Sequence, residues 1–449
     1  MTSGRIFLCF FAVALVIQSF WIPPLQSPDE TDHIKRAWLL RQGQVLLTRP
    51  IAGAPASSGG EIDTGLLEYM GIYSRIHHKS RVRLTASELD AASELVWSHD
   101  TAFSPAPGTG YYFPLIYLPQ ALALTAGEIL GFSIHWSYWL ARVANVITAV
   151  LILDLAFAVW SPNALVMAIL MLPMMMFQFN STSIDGTMTA LVLLVVSTFV
   201  AVWRSSGPDN VSQRVVMATV IPLLVCAHQN LIPLVLLPAS LAILKRSRAW
   251  ALITAIAVLS ALIWAVVAVQ NTVDLRVPHA MPGPGKIQLY AAQPGMVVAM
   301  IANTIFDAGR MSAYWKSWMG ILGWWDTYLS PLFYAVCPWF LASIGALSFN
   351  RARMRERRVE VTLFLVVATG MVLLTFLAMI FGWTPIGATK AEGLQGRYFI
   401  IPSLLVAATL QGWPLTRDWR SRCVAVLLFT WGTVSFLSSS LAIIRRYHG

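Results

Sequence analysis

Of 449 residues, 57% are hydrophobic and 12% charged, half the roughly 25% charge of a soluble domain, so a soluble globular fold is excluded. The formal charge of +10 gives no ground for nucleic-acid binding, because basic residues between apolar runs mark the cytoplasmic side of a membrane protein. Cys9, Cys226, Cys337 and Cys423 all sit inside apolar runs, so no disulfide framework is expected and they read as small buried hydrophobes.

The first apolar run, "RIFLCFFAVALVIQSFW", is followed by bulky "WIPPL" rather than a small-residue cleavage site. It is expected to remain as an anchored helix over about 6–22, ended by Pro23 and Pro24. A polar stretch follows from 23 to 113. The next run, "FPLIYLPQALALTAGEILGF", is proline-broken and carries Glu128, which predicts a segment lying along the interface. Apolar helices are then predicted near 138–160, 163–180, 185–203, 215–228, 230–244 and 249–269, with a second large loop over 270–330. Four more follow near 331–348, 359–381, 398–413 and 423–443, about eleven spans in all, give or take two. Runs near 20 apolar residues span a bilayer, and in lipid only helices pair all their own backbone groups. The fold class is therefore an all-α, polytopic transmembrane helical bundle in one domain. Its two large loops carry short interfacial helices. No internal repeat suggests inverted transporter halves.

Charge orients the bundle. The short linkers "KRSR", "RARMRERR" and "RDWRSR" are basic and fall on one side of this count, which should be the cytoplasm. The 23–113 loop also carries Lys and Arg, but long loops cross largely regardless of charge. Both large loops, the linker "TPIGATKAEGLQGR" and the polar patch "NSTSID" then lie outside.

The chemistry-bearing residues concentrate on that side. In "PDETDHIKRA" a helix beginning after Pro28 puts Asp29, Asp32 and His33 on one face. The pattern fits three things: acids suiting the positive end of a helix start, a general base, or ligands for a divalent cation. Asp307 and Arg310, one turn apart, read as a surface pair. His77 and His78 lie among cations and read as a basic patch rather than a metal site. His228 and Asn230 stand at a break between short helices. Asp154 lies inside an apolar run near its cytoplasmic end and reads as a locally paired acid.

The stretch "PDETDHIKRAWLLRQG" after a proline-rich helix end resembles a family of bacterial multipass proteins long labelled a domain of unknown function. That family is grouped with the GT-C glycosyltransferases, membrane enzymes that use lipid-phosphate sugar donors. "YYFPLIYLPQALAL", "NSTSIDGTMTAL", "GWWDT" and "EGLQGRYFIIP" resemble its further segments in order, over nearly the whole chain. One departure is the short spacer "SIDG", which places Asp185 at a helix start and argues against a metal role for it.

The resemblance implies a GT-C bundle in the bacterial cytoplasmic membrane with its active site on the periplasmic face. Asp29, paired with Glu30, becomes the candidate catalytic base. Arg397 and Lys390 become candidate ligands for the donor phosphate. His33, Asp32, Asp326, Asp185 and Tyr398 become candidates for orienting substrate. The implied partners are a polyprenyl-phosphate-linked sugar, membrane lipids, and a glycan, lipid or protein acceptor. The resemblance fixes no cofactor, and a divalent cation (magnesium or manganese) is left open. A flippase or a polymerase of lipid-linked glycans is the alternative.

Overall fold

The computed structural model describes residues 3–49, 57–207, 209–276, 283–410 and 419–449. Parts of the two expected loops (50–56 and 277–282) lie outside the described residues. So does 411–418, with the end of the expected 398–413 helix and the start of the "RDWRSR" linker.

α1 (Ser3–Ser19) is the first apolar helix and ends before the Pro23–Pro24 pair. Its end is closed by Arg142, which donates to the carbonyls of Ile22 at 2.7 Å and Pro23 at 3.1 Å. Those carbonyls have no helical partner of their own. α2 (Glu30–Arg41) follows at once. The rest of the first loop folds as β1 (Gly59–Asp63), α3 (Thr64–Ser74), α4 (Ala86–Glu94) and β2 (Thr101–Pro105). β1 and β2 pair antiparallel, Gly59 opposite Pro105 and Asp63 opposite Thr101. α4 opens on a capping box between Thr85 and Glu88.

After a short 3-10 turn at Pro114–Tyr117, α5 (Leu118–Ile129) packs along α6 (Ile134–Val159). At 12 residues, α5 reaches about 18 Å and is too short to cross. Its Glu128 pairs with Arg41 of α2, so the segment belongs to the loop end of the bundle. The expected 163–180 helix is split into α7 (Ala164–Leu170) and α8 (Pro173–Phe179) by Pro173. α9 (Asp185–Arg204) is apolar all round and 89% buried, so it forms the bundle's centre. α10 (Val211–Ala227), a 3-10 stretch at Gln229–Val235, and α11 (Leu236–Leu244) follow. α12 (Arg248–Asn271) is far more exposed along its length.

The second loop folds as α13 (Gly283–Ala292), α14 (Pro294–Ile305) and α15 (Ala308–Gly320), then a two-residue hairpin, β3 (Ile321–Leu322) with β4 (Thr327–Tyr328). α16 (Pro331–Ser348), α17 (Arg351–Glu356), α18 (Arg358–Gly382), α19 (Ile400–Ala408) and α20 (Trp419–Tyr447) complete the chain. The all-α expectation is corrected by these two small ladders, both in loops where water can solvate their open edges.

Among the described residues, six helices are long and apolar enough to cross a membrane: α6, α9, α12, α16, α18 and α20. Shorter apolar helices of 10–17 residues include Val211–Ala227 and Pro294–Ile305, so among the described residues length and composition support six spans, fewer than the eleven expected. Several of the short ones are interrupted or flanked by proline, at Pro173, Pro222 and Pro233. At the end away from α2, Arg5 stands 3.6 Å from Asp154, and Arg204 pairs with Glu360 at 2.6 Å. Asp154 is thus a locally paired acid, as its position in the sequence suggested.

Candidate functional site

The site begins with how α2 is set. Glu30 is fully buried and accepts four hydrogen bonds: from Ser27 N at 3.0 Å, Tyr138 Oη at 2.6 Å, and Thr182 N and Oγ1 at 2.7 and 3.1 Å. One carboxylate therefore joins α2, α6 and the 180–184 turn. Of the adjacent acids, Glu30 is the fastener and faces no open space. Glu30→Ala would leave buried donors without partners, so about 3–5 kcal/mol of stability should be lost. Thermal unfolding of the purified variant in detergent measures this, and an unchanged midpoint would refute it.

Asp29 points the other way. Its backbone is left-handed, φ 63 and ψ 1, and its side chain does not cap α2. The carboxylate instead accepts a hydrogen bond from Arg397 Nη2. Asp29 remains 46% exposed while the Arg397 side chain is 5% exposed, so the pair joins a buried cation to an accessible acid.

Arg397 is held from its own side with equal definition. A 3-10 turn, Gly396–Phe399, leads into α19. A Cβ at Gly396 would sit 2.1 Å from Tyr314 O and 2.3 Å from Trp318 N. Only glycine lets this turn lie against the α15 backbone. Ser317 Oγ accepts from Gly396 N at 2.7 Å. Arg397 Nε donates to Gln395 Oε1 at 2.6 Å, Nη1 lies 3.7 Å from Asp185 Oδ2, and the guanidinium stacks 5.3 Å from the Tyr398 ring. The structure thus brings Asp29, Asp185, Arg397 and Tyr398 together from three distant stretches of sequence.

An aromatic wall completes the recess. His33 Nδ1 is 2.7 Å from Tyr117 Oη. The His33 ring lies parallel to Tyr112 at 6.1 Å, and Tyr112 stacks on His228 at 5.1 Å. Asp32 is 3.5 Å from Lys35 Nζ, and Lys35 also donates to Pro105 O at 2.9 Å.

The local charges shift these groups in different directions. Burial raises Asp29, but the Arg397 charge and hydrogen bond outweigh it and hold the carboxyl below its ordinary value. Burial raises Asp32 above its ordinary value, only partly offset by Lys35 and Arg276. Burial lowers His33, against the pull of Asp185 and Asp29, and favours the neutral ring.

Other candidates lie elsewhere. Lys390 pairs with Asp307 at 2.5 Å, and Asp307 also caps α15 by accepting from Arg310 N at 3.0 Å. The Arg310 guanidinium donates to Ala391 O, so the expected Asp307–Arg310 ion pair is not formed. Lys390 is thereby drawn away from the Asp29 recess. Asp326 is buried against Arg446 at 2.8 Å, and that arginine also donates to the carbonyls of Ile76, Lys79 and Val82. This pair clamps the end of α20 to the first loop.

His77 Nε2 donates to Leu25 O at 3.0 Å, and the ring stacks 4.2 Å from Trp324. Burial lowers it from 6.5 to about 4. The neutral ring is therefore favoured in the fold. Its contribution to stability is complete above 6.5 and is lost as pH falls from 6.5 toward 4. His77→Gln should flatten the pH dependence of the unfolding midpoint across that window; an unaltered dependence would assign it to other groups.

Tyr112, Tyr117, His228 and Arg276 of this region were not singled out as site residues from sequence. The divalent cation left open by the sequence finds no donor set. Among the described residues no three His, Cys, Asp or Glu side chains stand together as ligands, and the acids at hand turn to a guanidinium.

Beside Arg397 lies an apolar cavity of about 810 Å³ between α7, α15, α16, α18 and α19. Its wall includes Trp315, Trp318, Phe376 and Phe399. It runs from Phe399 along α19 to Ala407. Phe399, on the same 3-10 turn as Arg397, is one of the cavity's lining residues.

The model of the family described as "Predicted membrane protein (DUF2142)" matches residues 9–406. The chain belongs to that family. No curated protein and no solved structure matches it.

Proposed function

We propose that this DUF2142 membrane protein is a GT-C type glycosyltransferase, moving a sugar from a polyprenyl-phosphate donor to a glycan, lipid or protein acceptor. The reaction belongs on the extracytoplasmic face of a bacterial cytoplasmic membrane. One observation supports this reading above the others: an accessible carboxylate paired with a buried guanidinium, on a turn whose Phe399 lines an apolar cavity.

Each part answers a need of the reaction. An isoprenoid tail would lie in the cavity, with its phosphate at Arg397, whose planar fork suits two phosphate oxygens. The acceptor oxygen attacks the anomeric carbon as the carbon–oxygen bond to phosphate breaks. The bond's electron pair leaves on the phosphate oxygen, where Arg397 meets the growing charge. The acceptor proton passes to Asp29. A single displacement inverts the anomeric centre. In the described structure Asp29 is a weakened base because Arg397 holds it. A phosphate that takes over the guanidinium would restore its basicity as the donor arrives.

Proteoliposomes supplied with labelled polyprenyl-phosphate hexoses and pentoses test this. A new glycosidic bond carrying one added sugar is expected. Movement of the donor between leaflets with no bond formed would favour a flippase, and addition of many sugars a polymerase.

A further inference from the structure

At the end of the bundle where Arg204 meets Glu360, α17 is a helix that the protein alone gives little reason to form. It has six residues, none of them buried, and an isolated helix that short is not stable in water. Arg351 and Arg355 stand at i and i+4, where like charges repel. Its start is capped by Asn350, whose side-chain oxygen accepts from Arg353 N at 3.1 Å. Arg357 and Arg358 follow directly, so the stretch 351–358 holds five arginines and one acid, Glu356. Glu360, the next acid along the chain, is buried and already accepts from Arg204, Nη2 at 2.6 Å and Nε at 3.1 Å. Among the described residues Arg351, Arg353, Arg355 and Arg358 form no ion pair.

The position of α17 says what it meets. α16 ends at Ser348 and α18 begins at Arg358, and both are long and apolar enough to cross a membrane. α17 therefore lies where those two helices would leave the bilayer, at the level of the lipid head groups. Phe349 and Val359, on either side of it, are both exposed and would reach into the acyl layer. The same arrangement recurs where α12 and α20 begin at this end. Arg246 and Arg248 are exposed at the start of α12, beside exposed Ile243 and Leu244. Arg420 stacks 5.7 Å from exposed Trp419 at the start of α20. We infer that this end of the bundle is a docking surface for anionic phospholipid, with α17 lying on the membrane and its arginines taking lipid phosphates. A guanidinium meets a phosphate through two parallel N–H bonds, and anionic head groups supply the countercharge that the protein itself does not. Apolar side chains beside the arginines fit a lipid surface better than an acidic protein. The inference is independent of the glycosyl-transfer reading.

The test uses full-length protein in nonionic detergent, titrated with short-chain phosphatidylglycerol or phosphatidylcholine and followed by its thermal unfolding midpoint. Phosphatidylglycerol should raise the midpoint saturably, less so as salt is added, and phosphatidylcholine should raise it far less. An arginine near an anionic lipid surface is worth about fivefold in affinity. The triple variant Arg351→Gln, Arg353→Gln, Arg355→Gln should therefore weaken phosphatidylglycerol by more than about tenfold. Its lipid-free midpoint should be unchanged, since none of the three is buried. Arg355→Glu alone should weaken binding about tenfold and serves if the triple variant folds poorly. Arg81→Gln, at an exposed arginine of the first loop, should have no effect. Wild-type phosphatidylglycerol affinity in the triple variant, or an equal loss in Arg81→Gln, would overturn the assignment to α17. Equal stabilisation by phosphatidylcholine would overturn the anionic preference. Tighter binding of a polyglutamate peptide than of phosphatidylglycerol would give the surface to an acidic protein instead.

Discussion

Asp29→Asn is expected to lower sugar transfer by about 10²–10⁴-fold while the protein still folds and inserts. The amide keeps the shape of the carboxylate, and its oxygen can still accept from Arg397. It cannot take the acceptor's proton. Asp29 touches Arg397 and contributes no helix cap, so the fold depends on it far less than on Glu30, which is buried under four donors. The comparison that isolates the base is Asp32→Asn. Asp32 shares the recess but pairs with Lys35 at 3.5 Å rather than with Arg397, and its loss should slow transfer much less. Initial rates with a labelled donor, at matched protein in the membrane, decide the matter. Unchanged transfer in Asp29→Asn would remove Asp29 as the base.

Arg397→Gln is expected to reduce turnover about 10²–10³-fold and to lower stability too. The guanidinium is 5% exposed and has Asp29 and Asp185 on two sides. Its removal leaves two carboxylates facing each other without a cation. Arg397→Lys separates the two effects. A lysine restores the charge, so stability should largely return. It cannot bridge phosphate oxygens as a planar fork does, so turnover should stay depressed. Rates and unfolding midpoints measured on both variants give the split. Full activity in Arg397→Lys would show that charge alone is required there.

Much of the scaffold was legible because lipid leaves the backbone few choices. The long apolar runs over 249–269 and 359–381 appear as α12 and α18 nearly as written. The first loop was less so. Its helix at Ala86–Glu94 was announced by Thr85 and Glu88 as a capping box, a pattern of two ordinary residues in a stretch read only as polar. The β1–β2 ladder joins residues about forty positions apart, and no local periodicity marks such a pairing.

The site shows the same division. Asp29 and Arg397 stood out as an acid and a base at the ends of apolar helices, and the fold pairs them. Glu30 looked equivalent to Asp29 in sequence. The left-handed backbone at residue 29 turns one acid toward the recess and the next into the core. Lys390 and Asp326 were attractive for their positions but are taken up by Asp307 and Arg446, partners from remote stretches. Tyr117 was invisible for the opposite reason: it is unremarkable alone, and its meaning lies in the His33 ring it meets.

The most direct measurement is an experimental density map of the protein in nanodiscs with a bound polyprenyl phosphate. The head group should lie against Arg397, with the Asp29 carboxylate released toward the recess and the tail running past Phe399 and Trp318. A head group bound at the Arg204–Glu360 end, or a tail lying outside the cavity between α15, α18 and α19, would contradict the assignment of this site.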